Sequence, residues 1–324
     1  MNTLSSDDSL SQNEESVQIP SLEKLRNFLV GVTIGDALGS ITEHLTYSKI
    51  QQLFRYGGPE LSPEFFIIGD DTQLIFSVVR ALARNKTNSL EEFMEEFQFQ
   101  VEHWLAGINQ YLAPDQASAN GFRPWLQGKH WSQTGVTIEV GSSLASRVLP
   151  IGWFYNSRPG RIKVYARALA SASHNDPIAL NGAQVIAFMS KFAYDNLPVE
   201  EWKKQLLYEL DVSPKIIKII EKAEKYSKLS KNYPDDHSLM FSLGRGSRIT
   251  EIIGLVWFIM QKYYDSFWSA VYRAVRFQGR SDTLATIVGG LQGLRIGLNE
   301  VPNDKISFVI EITNLEHIIL EFEE

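Results

Sequence analysis

FQGRSDTLATIVGGLQGLRIG, residues 277–297, is the stretch on which the fold turns. Its apolar residues recur at three- and four-residue intervals, the period of an α-helix. The same stretch carries Ala285, Gly289, Gly290 and Gly293. A glycine inside a helix costs about 1 kcal/mol relative to alanine, and its missing Cβ lets another backbone come close. Several together predict a central helix, over 281–297, contacted closely on several sides. Ser281, Asp282 and Thr283 stand just before its apolar run.

The rest of the chain supplies neighbours for such a helix. SLEKLRNFLVGVTIGDALG, residues 21–39, puts Leu22, Leu25, Phe28, Leu29 and Val32 on one face, with Ser21 as N-cap and Glu23 in the first turn. The same periodicity predicts helices over about 72–84, 89–107, 162–173, 178–195, 198–210, 214–228, 248–262 and 265–276. Alternating strands are scarce. The tail KISFVIEITNLEHIILEFEE, residues 305–324, reads equally as a helix or a strand pair. No fixed-period repeat is visible, and no Pro/Gly/Ser-rich linker follows residue 20. The expectation is one all-α domain over 20–324, helices wrapped around a buried central set.

Composition narrows the function. The 324 residues are 44% hydrophobic and 21% charged, ordinary for a globular protein, with a net charge of −7. No field here favours nucleic acid or anionic lipid, so small molecules or proteins are the expected partners. The absence of cysteine removes disulfides, thiolate metal sites and thiol nucleophiles together. No apolar run approaches the roughly 20 residues of a membrane span, and MNTLSSDDSLSQNEESVQIP lacks the basic start and apolar stretch of a secretory signal. A cytoplasmic location is expected. Residues 1–19 hold Asp7, Asp8, Glu14 and Glu15 and no lysine or arginine. They read as a disordered acidic arm, either inert or able to dock on a basic partner surface.

Four polar or small-residue clusters interrupt the helical pattern. In GDALGSITE, 35–43, Asp36 lies among Gly35, Ala37 and Gly39, and Glu43 follows; tight helix packing explains it as well as chemistry does. In GDDTQLIF, 69–76, Asp70, Asp71 and Thr72 precede the apolar stripe Leu74, Ile75, Val78, Val79 and Leu82. One aspartate suffices to cap a helix; a second beside it raises self-repulsion unless a cation is near. Capping and metal ligation both remain open. In GSSLASRVLPIGWFY, 141–155, Gly141, Ser142 and Ser143 form a donor-rich loop, and Arg147 is expected to start an apolar helix. Such a terminus suits either a phosphate or a plain capping turn. The fourth cluster is the Ser281–Asp282–Thr283 start of the central helix. The histidines show no HExxH or paired-ligand spacing, and no G-x-S-x-G elbow is present.

Taken in order, GDALGSITE, DDTQ, GSSLASRVLP, SHNDPIALNGA (173–183) and SDTLATIVGG resemble the ADP-ribosylglycohydrolase family of the dinitrogenase-reductase-activating glycohydrolase type. The likeness runs from about Leu25 to Gly297. It implies an all-helical, orthogonal fold and Mg²⁺, two ions in the usual members. Glu43 matches the glutamate ending the family's first motif, tied to metal and proton transfer. Asp70 and Asp71 match the paired aspartates of T-D-D-T, and Asp282 and Thr283 the second half of D-x-D-T. Gly141, Ser142, Ser143 and Arg147 match the loop that holds ADP-ribose, and His174 the histidine near it. Glu43 and Asp71 would then be catalytic, with Asp70, Asp71, Asp282, Thr283 and Glu43 on metal. Oxygen-only ligands are what a hard cation requires.

Two positions depart from the family. Gly69 stands where T-D-D-T has its leading threonine, and Arg280 where D-x-D-T has its first aspartate. That second exchange moves the local charge by the charge of one Mg²⁺, so one ion or none is expected. The resemblance implies a hydrolase acting on ADP-ribosylated protein. The alternative is a weakened site that binds ADP-ribose or serves as an immunity protein against an ADP-ribosylating toxin, partly through the arm.

Overall fold

The computed structural model describes residues 21–64, 66–85, 87–107, 115–138, 142–229 and 235–322, and the arm expected over 1–19 lies outside them. In chain order the helices begin with α1 Leu22–Thr42, α2 Tyr47–Arg55, α3 Asp70–Arg84, α4 Leu90–Gly107 and α5 Gln116–Leu126. Then come α6 Ser142–Arg147, α7 Leu149–Phe154, α8 Pro159–Ser171, α9 Pro177–Tyr194, α10 Trp202–Glu209 and α11 Pro214–Ser227. The last are α12 Asp236–Leu243, α13 Ile249–Lys262, α14 Phe267–Val275, α15 Ser281–Arg295, α16 Asn303–Thr313 and α17 Leu315–Leu320. Among the described residues there is no sheet, only an isolated bridge between Val136 and His174. None of their helices is long and apolar enough to cross a membrane.

The expected central helix is α15, buried from Ser281 to Leu294. Its glycines, however, serve one neighbour rather than several. A Cβ on Gly31 would stand 2.3 Å from the carbonyl oxygen of Gly289, one on Gly35 2.0 Å from that of Ala285, and one on Gly39 2.5 Å from Cα of Asp282. Gly290 and Gly293 likewise meet α1, at Phe28, Val32 and Asn27. The two helices therefore cross backbone to backbone, a contact only residues without Cβ permit. On its other sides α15 takes α14, α9, α13, α6 and α3 through side chains. Helix α11 covers α13, α7 and α8 cover α9, and α4 covers α3. Trp153, Trp202 and Trp257 are fully enclosed, each removing a large apolar surface from water.

Elsewhere the pattern needed correction. The ambiguous tail forms two helices, α16 and α17, joined at Asn314 in the left-handed region (φ 53°). A strand pair there would have had no further sheet among the described residues to join, and an isolated two-stranded hairpin is marginal in water. The helix expected over 198–210 opens as a 3₁₀ turn, Val199–Glu201, before α10. Helices α2, α5 and α12, of 8 to 11 residues, were not anticipated; such lengths are marginal alone and depend on tertiary packing.

Candidate functional site

The crossing of α1 and α15 carries Asp36 and Asp282 into the interior, and Asp36 decides how α3 begins. Its Oδ2 accepts hydrogen bonds from the backbone N–H of Gly69 (2.9 Å) and Thr72 (3.1 Å). The first-turn amides of α3 are thus capped by a carboxylate from α1. Asp70 and Asp71, for which capping was one of two open readings, make no side-chain cap of their own. Gly69 sits against the same carboxylate: a Cβ there would stand 3.0 Å from Asp36 Oδ1, so a side chain needs the cap to give by a few tenths of an ångström.

Asp71 is fully buried and held from two directions. Its Oδ2 accepts the Thr283 hydroxyl of α15 at 2.6 Å, and its Oδ1 accepts the Ser146 hydroxyl of α6. Asp70 Oδ2 accepts the backbone N–H of Asp115 at 3.2 Å. Asp282 sits beside them with Oδ1 buried and without a hydrogen-bond partner. Ser281 stitches the start of α15 to α1, donating to the Gly39 carbonyl and meeting the Thr42 hydroxyl, both at 3.0 Å.

A second chain of polar groups runs from Asp115. Its Oδ1 caps α5 through Ala117 N (2.9 Å) and Ser118 N (3.0 Å), and its Oδ2 takes the Ser143 hydroxyl. Ser118 and Ser143 hydroxyls are 2.8 Å apart. Arg147 donates to Ser118 (3.3 Å) and to Ser173, whose hydroxyl is 2.7 Å from His174 Nδ1. Arg147 ends a short helix, α6, rather than starting one, and is fully buried against the Phe122 ring. Its full burial, rather than a lack of free donors (Nε has no hydrogen-bond partner), stands against the direct phosphate contact expected from sequence. Gly141 and the side chain of Ser142 lie outside the described residues.

Glu43, at the end of α1, is 15% exposed and accepts Arg280 Nη1 at 2.8 Å; the Arg280 side chain is 27% exposed. These two are the partly exposed members of the cluster. Burial dominates the electrostatics inside. It pushes the Asp36 carboxyl up to about 7, with Asp71 adding to it, and Asp70 up to about 8, helped by Asp71 and Asp115. Burial also raises Asp71 and Asp282, although Arg280 opposes both. Asp115 goes the other way: burial works against its charge, but the hydroxyls of Ser143 and Ser118 outweigh it. Burial draws Arg147 down to about 10. Arg280 is likewise desolvated, yet Asp282, Asp71, Glu43 and Asp70 more than compensate and hold it charged.

The site therefore brings Glu43, Asp70, Asp71, Asp282 and Thr283 together and links them, through Asp115, to Ser143, Arg147 and His174. Asp36, Asp115, Ser118, Ser146 and Ser173 complete it without having been assigned a role from sequence. Asp115 did carry a signal, an aspartate before a helix start, but nothing in that signal says function. Toward a metal, Asp70, Asp71, Asp282 and Thr283 offer the right chemistry for a hard cation: their donors are all oxygen, and Asp282 Oδ1 is buried without a hydrogen-bond partner. As placed, they do not form a ready set for either one ion or two. Among the described residues no three acidic or histidine side chains converge as a ready ligand set, and a guanidinium stands among them. Cavities of about 440 Å³ beside Lys24 and Arg295 and about 280 Å³ beside Trp125 and Trp131 lie apart from the cluster.

A model of the ADP-ribosylglycohydrolase family matches residues 18–321. An uncharacterised protein of Archaeoglobus fulgidus is 23% identical over 84% of this chain and 88% of its own. The ADP-ribosyl-(dinitrogen reductase) glycohydrolase of Rhodospirillum rubrum is 22% identical over 86% and 87%. The ADP-ribosylarginine hydrolase Tri1 of Serratia proteamaculans is 21% identical over 91% and 78%. Among solved structures, an ADP-ribosylglycohydrolase-related protein complex superposes with a TM-score of 0.66 at 17% identity, covering 93% of this chain and 97% of that one.

Proposed function

Because the chain belongs to the ADP-ribosylglycohydrolase family, we propose that it hydrolyses the glycosidic bond joining ADP-ribose to a modified side chain of a protein. The observation that carries this reading is Asp71: a buried carboxylate gripped by hydroxyls from two other helices, Ser146 and Thr283. A group held in this way has its orientation settled before the substrate arrives.

In this reading a water attacks the anomeric carbon of the distal ribose through an oxocarbenium-like transition state. The buried carboxylates face the positive charge that develops there. Asp71 and Glu43 move the protons: one takes a proton from the water, the other supplies one to the leaving nitrogen or oxygen. Asp70, Asp71, Asp282 and Thr283, with Glu43 at the rim, would hold one Mg²⁺, which when bound orients the ribose hydroxyls and acidifies water. Gly141, Ser142 and Ser143 hold the diphosphate end. Arg147 acts from behind, fixing Ser118 and Ser173, and His174 lies toward the ribose. The acidic stretch 1–19, outside the described residues, would be an appendage to a catalytic domain over 20–324.

A second reading is favoured by the ion pair of Glu43 with Arg280, which engages the expected acid/base group. It is recognition of ADP-ribose, or of an ADP-ribosylating toxin with help from the arm, without turnover. Release of ADP-ribose from ADP-ribosylated protein, with Mg²⁺ present, separates the two. Wild type should release it, Asp71→Ala should fall at least about 100-fold, and a chain lacking residues 1–19 should keep its rate. No release under any divalent ion, with ADP-ribose still bound in calorimetry, replaces hydrolysis by recognition.

A further inference from the structure

The carboxylate cluster carries a cation of its own, and the backbone is built to keep it there. Arg280 N donates to the Arg245 carbonyl at 3.1 Å. Gly279 (φ 123°) lies so close that a Cβ would stand 2.4 Å from that same carbonyl oxygen. A Cβ on Gly246 (φ 85°) would stand 3.1 Å from Arg280 Cβ. Two loops, one after α12 and one before α15, are thus clasped together through glycines in the left-handed region. The arginine between them is directed inward. Its Nη1 is 2.8 Å from Glu43 Oε1, and its Nε is buried with no hydrogen-bond partner. A surface arginine swinging in solvent needs none of this.

We propose that Arg280 is a resident cation of the site, taking the charge and place of one divalent ion and positioning Glu43, so that the protein binds one ion at most. This rests on the reading of these carboxylates as the functional cluster. The chemistry differs from that of a metal pair. A guanidinium stays charged at any working pH and orients oxygens through a planar fork of donors. It does not activate water as a metal ion does. Arg280 therefore balances and orients, while water activation is left to the carboxylates and a single ion.

Calorimetric titration of the full chain with Mg²⁺ and Mn²⁺ tests this without requiring turnover, with circular dichroism confirming folding. Wild type and Arg280→Lys should take up one ion or none, and Arg280→Asp one more than wild type. Should Arg280→Asp fail to fold, Arg280→Gln keeps the stem and drops the charge; it should bind the ion about tenfold more tightly than wild type. Two ions on wild type overturn the proposal, as does a pair of variants that both titrate like wild type. Failure of ADP-ribose release with this stoichiometry intact would retire the hydrolase reading alone; two ions in an active enzyme would do the reverse.

Discussion

Two buried groups of charge lie close in sequence, one on the end of α14 and one on the start of α15, and they are assembled in opposite ways. Around Asp236, one carboxylate, 5% exposed, receives Arg273 on Oδ1, with Arg276 Nε at 3.3 Å and Gln51 Nε2 at 3.0 Å on Oδ2. The surplus positive charge rests on aromatic rings: Arg273 lies 5.0 Å from the Phe277 centroid and Arg276 5.0 Å from that of Phe54. Around Asp71 the ratio is reversed, carboxylates outnumber guanidiniums, and Asp36, Asp70, Asp71 and Asp282 are all raised by burial. In the first cluster the one carboxylate is fully engaged by its neighbours and fastens α2, α12 and α14, although Arg273 Nε is buried without a hydrogen-bond partner. In the second not every carboxylate is, Asp282 Oδ1 having no partner, which is the condition of a site that awaits a ligand.

Breaking the first cluster should be felt chiefly in stability. Asp236→Ala leaves Arg273 buried without its carboxylate and should cost about 3–5 kcal/mol in chemical denaturation, with the response to Mg²⁺ unchanged; a neutral result would erase the contrast. The second cluster should show itself through pH. A carboxyl whose folded pKa lies above its unfolded value binds its proton more tightly in the native state. The stability this brings is complete below the ordinary value of 3.8 and is lost as pH rises through about 7 for Asp36 and about 8 for Asp70. In EDTA the protein should thus be more stable at pH 5 than at pH 8, each such group contributing a slope of up to about 1.4 kcal/mol per pH unit. Asp36→Asn retains an acceptor for the α3 amides and should flatten that slope.

Smaller effects sharpen the comparison further. Ser146→Ala, which leaves Asp71 Oδ1 without its hydroxyl partner, should cost about 1–3 kcal/mol and is best read in ADP-ribose release, where a larger loss than in stability is expected. Asp282→Asn relieves crowding among carboxylates and should raise metal-free stability at pH 8 by about 1 kcal/mol, while the stabilisation conferred by Mg²⁺ shrinks. Lower stability with an undiminished Mg²⁺ effect would place Asp282 with the fastening residues instead.

Some of this could be read directly from residues. The run of glycines in 281–297 announced a buried helix that something approaches closely, and the five ordered motifs named the acidic residues that meet. What escaped were relations between segments. Asp36 looked like packing because the amides it caps, those of Gly69 and Thr72, lie 33 and 36 residues later. Arg147 looked like a phosphate arm because a basic residue after a serine loop carries no sign of which way it will point. The glycines of α15 suggested several neighbours, although one partner, α1, uses them all.

The sequence by itself determined the helices with strong periodicity, the small residues that let two backbones touch, and the kinds of charge available, since these depend on neighbours three or four positions away. Only the tertiary structure decided which carboxylates share one interior, that Asp36 rather than Asp70 or Asp71 caps α3, and that Arg280 turns inward to Glu43. Such pairings depend on distance through space and on exclusion of water, and residues more than 200 positions apart acquire both only once α1 and α15 have crossed.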